Sequence, residues 1–253
     1  MKRMIFCLMF VLTLFVASEE KSYAQENNDY LISEEILSSL TSEDYENAYN
    51  QLSVIRNTEN LTEEELDNQA VIILTNIYES KTIYEIKKNQ SNINVSLLSS
   101  VELPDSYEDL FAAEKALVKK HPAQALTYYS CTKVAIPWTA KLYNSPQADH
   151  HNGNAFKHSF WSACIAFEIG GANAKIWTDA HETESTHAMS IKMDKANNTS
   201  GRNAAATLAS KTTKFNYHQL HSDYLQDRIK NGHLVRLTTD EKSLRPTDGT
   251  GRK

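Results

Sequence analysis

The sequence predicts a mostly α-helical protein: one multi-helix domain preceded by an acidic helical arm, with at most a short β segment near the C-terminus. Three observations lead there. Apolar residues recur three and four apart in one segment after another, capping residues and glycines bracket those segments, and the alternation of a strand is confined to one short run.

Taken in order, Lys2 and Arg3 precede an apolar run from Ile5 to Val16, and polarity rises sharply at Ser18-Glu19-Glu20-Lys21. This is the layout of a secretory signal peptide. As a helix the run reaches only about 18 Å, short of the roughly 30 Å hydrocarbon core, so cleavage is favoured over a stable span. Ser22-Tyr23-Ala24 offers the small residues a signal peptidase reads, so residues 1–24 are expected to be removed and the mature chain, from Gln25, to be periplasmic or extracellular.

Residues 25–104 form the acidic helical region and linker. Helices are expected from Ser42 to Arg56 and from Leu61 to Lys88, the second with Leu66, Ala70, Ile73, Leu74 and Ile77 on one face and a capping box at Thr62 and Glu65. Asn89 to Pro104, rich in Asn and Ser, reads as the linker. The main domain spans 105–235. Its expected helices are Ser106–Lys120, Pro122–Tyr143 with a kink at Pro137, Asn154–Ile169 stopped by Gly170-Gly171, Ala172–Glu182, Asp194–Lys211 and Tyr217–Lys230 ended by Gly232. Asn144 to Gly153 is a polar loop, His233 to Leu237 a short strand, and residues 236–253, above all from Arg245, a flexible tail.

The precursor's net charge of −6 conceals two opposite halves. Glu26 to Leu110 holds 18 acidic and 4 basic residues, whereas Phe111 to Lys253 holds 12 acidic and 19 basic. An acidic arm of this kind either presents a solvated face or packs on the basic half and masks it. All 9 histidines and all 7 glycines fall after residue 120, which places the chemistry in the second half. Removing the leader leaves Cys131 and Cys164, which an oxidising compartment could join or which could stay buried as thiols. No zinc finger, RNA-recognition pattern or basic block marks a nucleic-acid module.

Functional side chains concentrate in three stretches. On a helix from Asn154, that residue, His158 and Trp161 share a face. The next helix ends in Asp179-Ala180-His181-Glu182, where Asp179 and Glu182 are neighbours three apart. Two carboxylates so placed resist ionising together, as a general acid or base requires, although they could equally ligate a hard cation or decorate a solvent face. The third stretch places Asp194, Asn197 and Asn198 at helical spacing, with Gly201-Arg202 beyond. Each stretch alone reads as a cap or a surface patch; three in succession point to one shared polar site.

Those stretches, Asn154-Ala155-Phe156-Lys157-His158-Ser159-Phe160-Trp161, Asp179-Ala180-His181-Glu182, and Met193-Asp194 with Asn197-Asn198 and Gly201-Arg202, resemble an uncharacterised bacterial family of secreted, toxin-associated domains of unknown function, DUF6973. The likeness covers roughly Leu110 to Gly232. Asn154 stands where the family carries Asp, Lys157 where it carries Arg, and Ala196 where it carries His, while Asp149, His150 and His151 lie close enough to compensate. The resemblance implies a helical secreted domain and no particular reaction.

Two functions compete. In the first, the site is hydrolase-like and holds one divalent cation: His158, His181 and Asp194 are the metal ligands, Glu182, His158 and Asp179 carry the catalysis with Glu182 activating water, and Arg202, Asn198 and Trp161 contact substrate. The basic half suits an anionic small molecule or a lipid headgroup. In the second, an envelope or binding protein uses the same residues as a hydrogen-bond network joining three helices. A glycosidase using Asp179 and Glu182 fits less well, because such carboxylates usually come from different elements.

Overall fold

Described residues are 31–91, 107–145, 148–183 and 185–253 of a computed structural model. The leader read at residues 1–24 and residues 92–104 of the linker lie outside them. Among the described residues the chain forms nine α-helices and one two-stranded antiparallel sheet, in agreement with the mostly α expectation.

The arm consists of α1 (Glu34–Ser39), α2 (Ser42–Thr58) and α3 (Glu63–Ser91). Capping boxes open the two longer helices. Thr62 and Glu65 exchange backbone N–H bonds at 2.8 and 3.3 Å, as the sequence predicts, and Thr41 and Asp44 do the same for α2. Beyond the linker, a 3₁₀ turn at Tyr107–Asp109 precedes α4 (Ala112–Lys120), so the helix expected from Ser106 starts later. Pro122 opens α5 (Pro122–Leu142), which continues through Pro137. The arm joins this helix with its own charge: Asp67, buried, accepts the N–H of Ala123 at 2.9 Å, a carboxylate on the positive end of α5. Leu37, Leu52 and Leu74 of the arm belong to the same hydrophobic core as Leu126 and Phe160. Ion pairs such as Lys119–Glu34 lie at the edge of this contact, so burial of apolar surface, more than charge, seats the arm.

The core is organised around α6 (Asn152–Ile169), which packs against α5, α7 (Gly171–His181), α8 (Ala188–Leu208) and α9 (Tyr217–Lys230). Small side chains, among them Ser159, Ser162, Ala163 and Ala166, let neighbours approach on several sides. The closest approach is at Gly201 of α8, where an added Cβ would lie 2.0 Å from the Ser159 carbonyl oxygen. Only glycine fits there, and this brings the polar face of α8 against α6. Gly170, at φ 83°, ends α6 as expected and lets α7 begin at once. Cys131 of α5 and Cys164 of α6 are joined by a disulfide, which settles the choice the sequence left open.

Two expectations are corrected. α8 begins at Ala188, well before Asp194, because the imidazole of His187 accepts the N–H of Ser190 at 3.2 Å and caps the helix. Asp194 therefore sits inside the helix. The tail is not loose either. β1 (Val235–Leu237) pairs with β2 (Leu244–Pro246), the Asn152 amide donates to the carbonyls of Asp248 and Thr250 at 2.8 Å, and Lys253 N–H donates to Leu142 at 2.9 Å. These partners lie far away in sequence, so local composition could not reveal them.

Candidate functional site

The face of α6 that carries Asn154, Lys157, His158 and Trp161 lines a cavity of about 420 Å³. The end of α7 adds His181 and Glu182, α8 adds Ser190 and Asp194, and α4 and α5 supply the opposite wall with Glu114, Tyr128 and Ile136. Among the described residues, none from the arm helices lines it.

At the floor, His158, Glu182 and Asp194 each offer a ligand atom, all within 4.8 Å of one another and all buried. The imidazole lies between the two carboxylates, with Nε2 3.4 Å from Asp194 Oδ1 and Nδ1 3.7 Å from Glu182 Oε1. Neither contact is a hydrogen bond: His158 Nδ1 and Asp194 Oδ1 are buried without a partner, as is Asn198 Oδ1 beside them. The remaining support is sparse. Asn198 donates its side-chain amide to Glu182 Oε1 at 3.2 Å, and its backbone carbonyl accepts the Ser162 hydroxyl at 2.8 Å. Burial, with Lys157 and His181 nearby, pushes the His158 imidazole well below its usual range and keeps it neutral. Burial raises Glu182, and burial together with Glu182 and Asp149 raises Asp194 to about 8. Burial lowers the Lys157 ammonium, which Asp194, Asp149 and Glu182 counteract. A neutral imidazole facing two carboxylates that repel one another has the donor set and the excess negative charge that a divalent cation neutralises.

A second polar group lines the α4–α5 side, and it is closely bonded. Glu114, buried, accepts His181 Nδ1 at 3.0 Å and the Phe111 N–H at 2.9 Å, and Tyr128 donates its hydroxyl to it. Burial would raise this carboxyl, but His181, Tyr128 and the Phe111 N–H outweigh that and hold it below the usual range. Tyr128 packs between the rings of Trp161 and Trp177. Asp149 completes the cavity, accepting Asn154 Nδ2 at 2.6 Å and the Ser190 hydroxyl.

The structure brings His158, Glu182, Asp194, Asn198 and Trp161 together, with Trp161 donating its indole N–H to Thr132 at 2.9 Å. His181 lines the cavity but turns Nδ1 to Glu114 and is not among the three clustered ligands. Asp179 and Arg202 are outside. α7 ends at His181, so Glu182 leaves the helical spiral and turns inward to Asn198, while Asp179 stays on the surface paired with Lys175. Gly201 faces α6, which rotates Arg202 away to Thr178 and Thr199 at 3.1 and 2.8 Å. Asn197 is structural: its amide donates to the Val235 carbonyl at 2.9 Å and accepts the Val235 N–H at 3.1 Å, extending the hairpin onto α8. The sequence reading missed Glu114 and Tyr128. The visible signal was an acidic residue early in α4, which resembles ordinary helix capping.

Fold and site together define a helical domain with an imidazole–dicarboxylate cluster at the end of a half-apolar cavity. Residues 115–233 match the family model described as Domain of unknown function (DUF6973), the family that the three motifs resemble. The match contains the whole floor and leaves out the arm and the hairpin. No curated protein and no solved structure matches the chain.

Proposed function

We propose that the protein is an exported hydrolase-type domain whose cavity floor holds one divalent cation on His158, Glu182 and Asp194. The observation that carries this reading is the pair of buried, unpartnered atoms on His158 and Asp194, within reach of Glu182. A hydrogen-bond network serving only to join helices would satisfy its members, since each orphaned buried polar atom costs on the order of 1–3 kcal/mol. Here His158 Nδ1 and Asp194 Oδ1 are unsatisfied while the neighbouring Asn197 is fully paired.

His158, Glu182 and Asp194 would hold the ion with three protein ligands, the number found in catalytic sites. An ion held there would lower the pKa of a bound water and so make hydroxide available near neutral pH for attack on a carbonyl or phosphoryl centre. Asn198 orients Glu182, and Lys157 offsets the charge of the surrounding carboxylates. Imidazole in the set favours a transition ion such as zinc or manganese over calcium. Export is supported by the leader-like N-terminus and by the buried Cys131–Cys164 disulfide, a bond that persists in oxidising compartments. Among the described residues no helix is long and apolar enough to cross a membrane.

The test is elemental analysis of protein recovered after export, with the N-terminus sequenced on the same sample. One equivalent of metal and a start at Gln25 are expected, with metal lost in His158→Ala and Glu182→Gln. A chain that holds no metal and melts identically in excess zinc or manganese refutes the cation.

A further inference from the structure

The wall of the cavity opposite the charged floor has a composition that cation chemistry alone does not need. From His158 an unbroken run of rings leads away: Trp161 with its centroid 6.4 Å from the imidazole, His181 5.2 Å further on, and Phe111 5.6 Å beyond that. Leu110 and Ile136 line the same space. Trp161 Nε1 is engaged by Thr132 and His181 Nδ1 by Glu114, so what faces the cavity along this path, apart from His181 Nε2, is largely ring and aliphatic carbon. Charged groups are gathered at the floor, where Lys157 stands among Asp149, Glu182 and Asp194. A small hydrophilic ion would leave the apolar wall wet, and a plain hydrocarbon would leave the floor unsatisfied.

We infer that the site takes an amphiphile: an anionic oxygen head group seated over the floor and a single apolar chain laid along Trp161, Ile136 and Phe111. The inference rests on the cation reading of the floor for the head group, and on the wall alone for the chain. A volume of about 420 Å³ is in the range of small-molecule pockets and admits a short-chain amphiphile. Each methylene that leaves water for such a wall tightens binding about fourfold. Free phosphate and a lipid-like phosphoester share the head-group chemistry, and chain length separates them.

The experiment titrates inorganic phosphate and butyl, hexyl and octyl phosphate into the metal-loaded full chain by calorimetry, below the concentration at which octyl phosphate forms micelles. Affinity is expected to rise on the order of 100-fold from butyl to octyl, and Ile136→Trp, which fills the wall, is expected to blunt that rise. A flat series overturns the inference, as does a rise that Ile136→Trp leaves untouched, because the chain would then bind elsewhere. Melting and metal content of each sample show that the variant is folded and its floor intact, and Phe111→Ala is the second variant should Ile136→Trp fail to fold. If the chain holds no metal, the cation reading falls on that measurement, and a neutral series from butanol to octanol, which carries no charge for the floor carboxylates to repel, still decides the wall.

Discussion

Two polar clusters border one cavity and differ in how their atoms are satisfied. Around Glu114, an imidazole, a phenol and a backbone N–H converge on a buried carboxylate. Around His158, two carboxylates approach an imidazole without forming a hydrogen bond to it. The residue types are nearly the same, so composition does not separate structure from function here. Satisfaction taken together with ligand chemistry does: the atoms of the first cluster complete one another, whereas the second gathers two carboxylates and an imidazole that do not.

The largest effect expected from this contrast is at the satisfied cluster. Glu114→Ala leaves the buried Tyr128 hydroxyl and the Phe111 N–H without their acceptor, and it is expected to lower stability by about 3 kcal/mol. Denaturant unfolding measures this, and metal content should stay at the wild-type level. Loss of metal with stability unchanged would reverse the roles assigned to the two clusters.

A second comparison sharpens the first. His221 is another fully buried imidazole with an unpartnered Nδ1, but it lies beside Phe167, Tyr217 and Thr212. Burial, assisted by His218, lowers it to about 4. The unfolded chain takes up this proton near pH 6.5, so acid favours unfolding. The stability His221 carries is complete above pH 6.5 and is lost as pH falls through about 4, at most about 3 kcal/mol. Unfolding measured across that window should show the slope, and His221→Leu should flatten it. An unchanged slope in that variant would assign the acid sensitivity to another group.

Much of the helical framework was legible because its signals are local. Tyr217–Lys230 has its apolar spacing and its terminating glycine within one stretch, and the Thr62–Glu65 box lies within four residues. What was not legible depends on partners remote in sequence. Glu114 becomes part of the cavity only through His181, 67 residues away, and the tail is held by Asn152, 96 residues before Asp248. Helical spacing also misled at one point. It made Asp179 and Glu182 neighbours, but the helix ends between them, so the pair separates. For His158, Asp194 and Asn198 the same spacing placed each residue on the correct face, and the close approach at Gly201 brought those faces together.

The smallest expected effect is the most discriminating, because its sign differs from the others. Without a cation, burial and the neighbouring Glu182 and Asp149 hold the Asp194 carboxyl up at about 8, so the folded chain keeps a proton that the unfolded chain releases near pH 4. Stability is lost through this group as pH rises from about 4 through about 8. Asn imitates the protonated carboxyl and removes that loss. The linkage sets a ceiling of about 4 kcal/mol at pH 7. Because the amide replaces the acid proton imperfectly in a packed floor, Asp194→Asn is expected to raise stability in chelator by a net of about 1–2 kcal/mol at pH 7, and by more at pH 9, while abolishing metal binding. A ligand site gives up stability for its function in this way, and a structural network does not. If Asp194→Asn melts below the wild type in chelator, as Glu114→Ala should, both clusters serve the fold and the distinction between them fails.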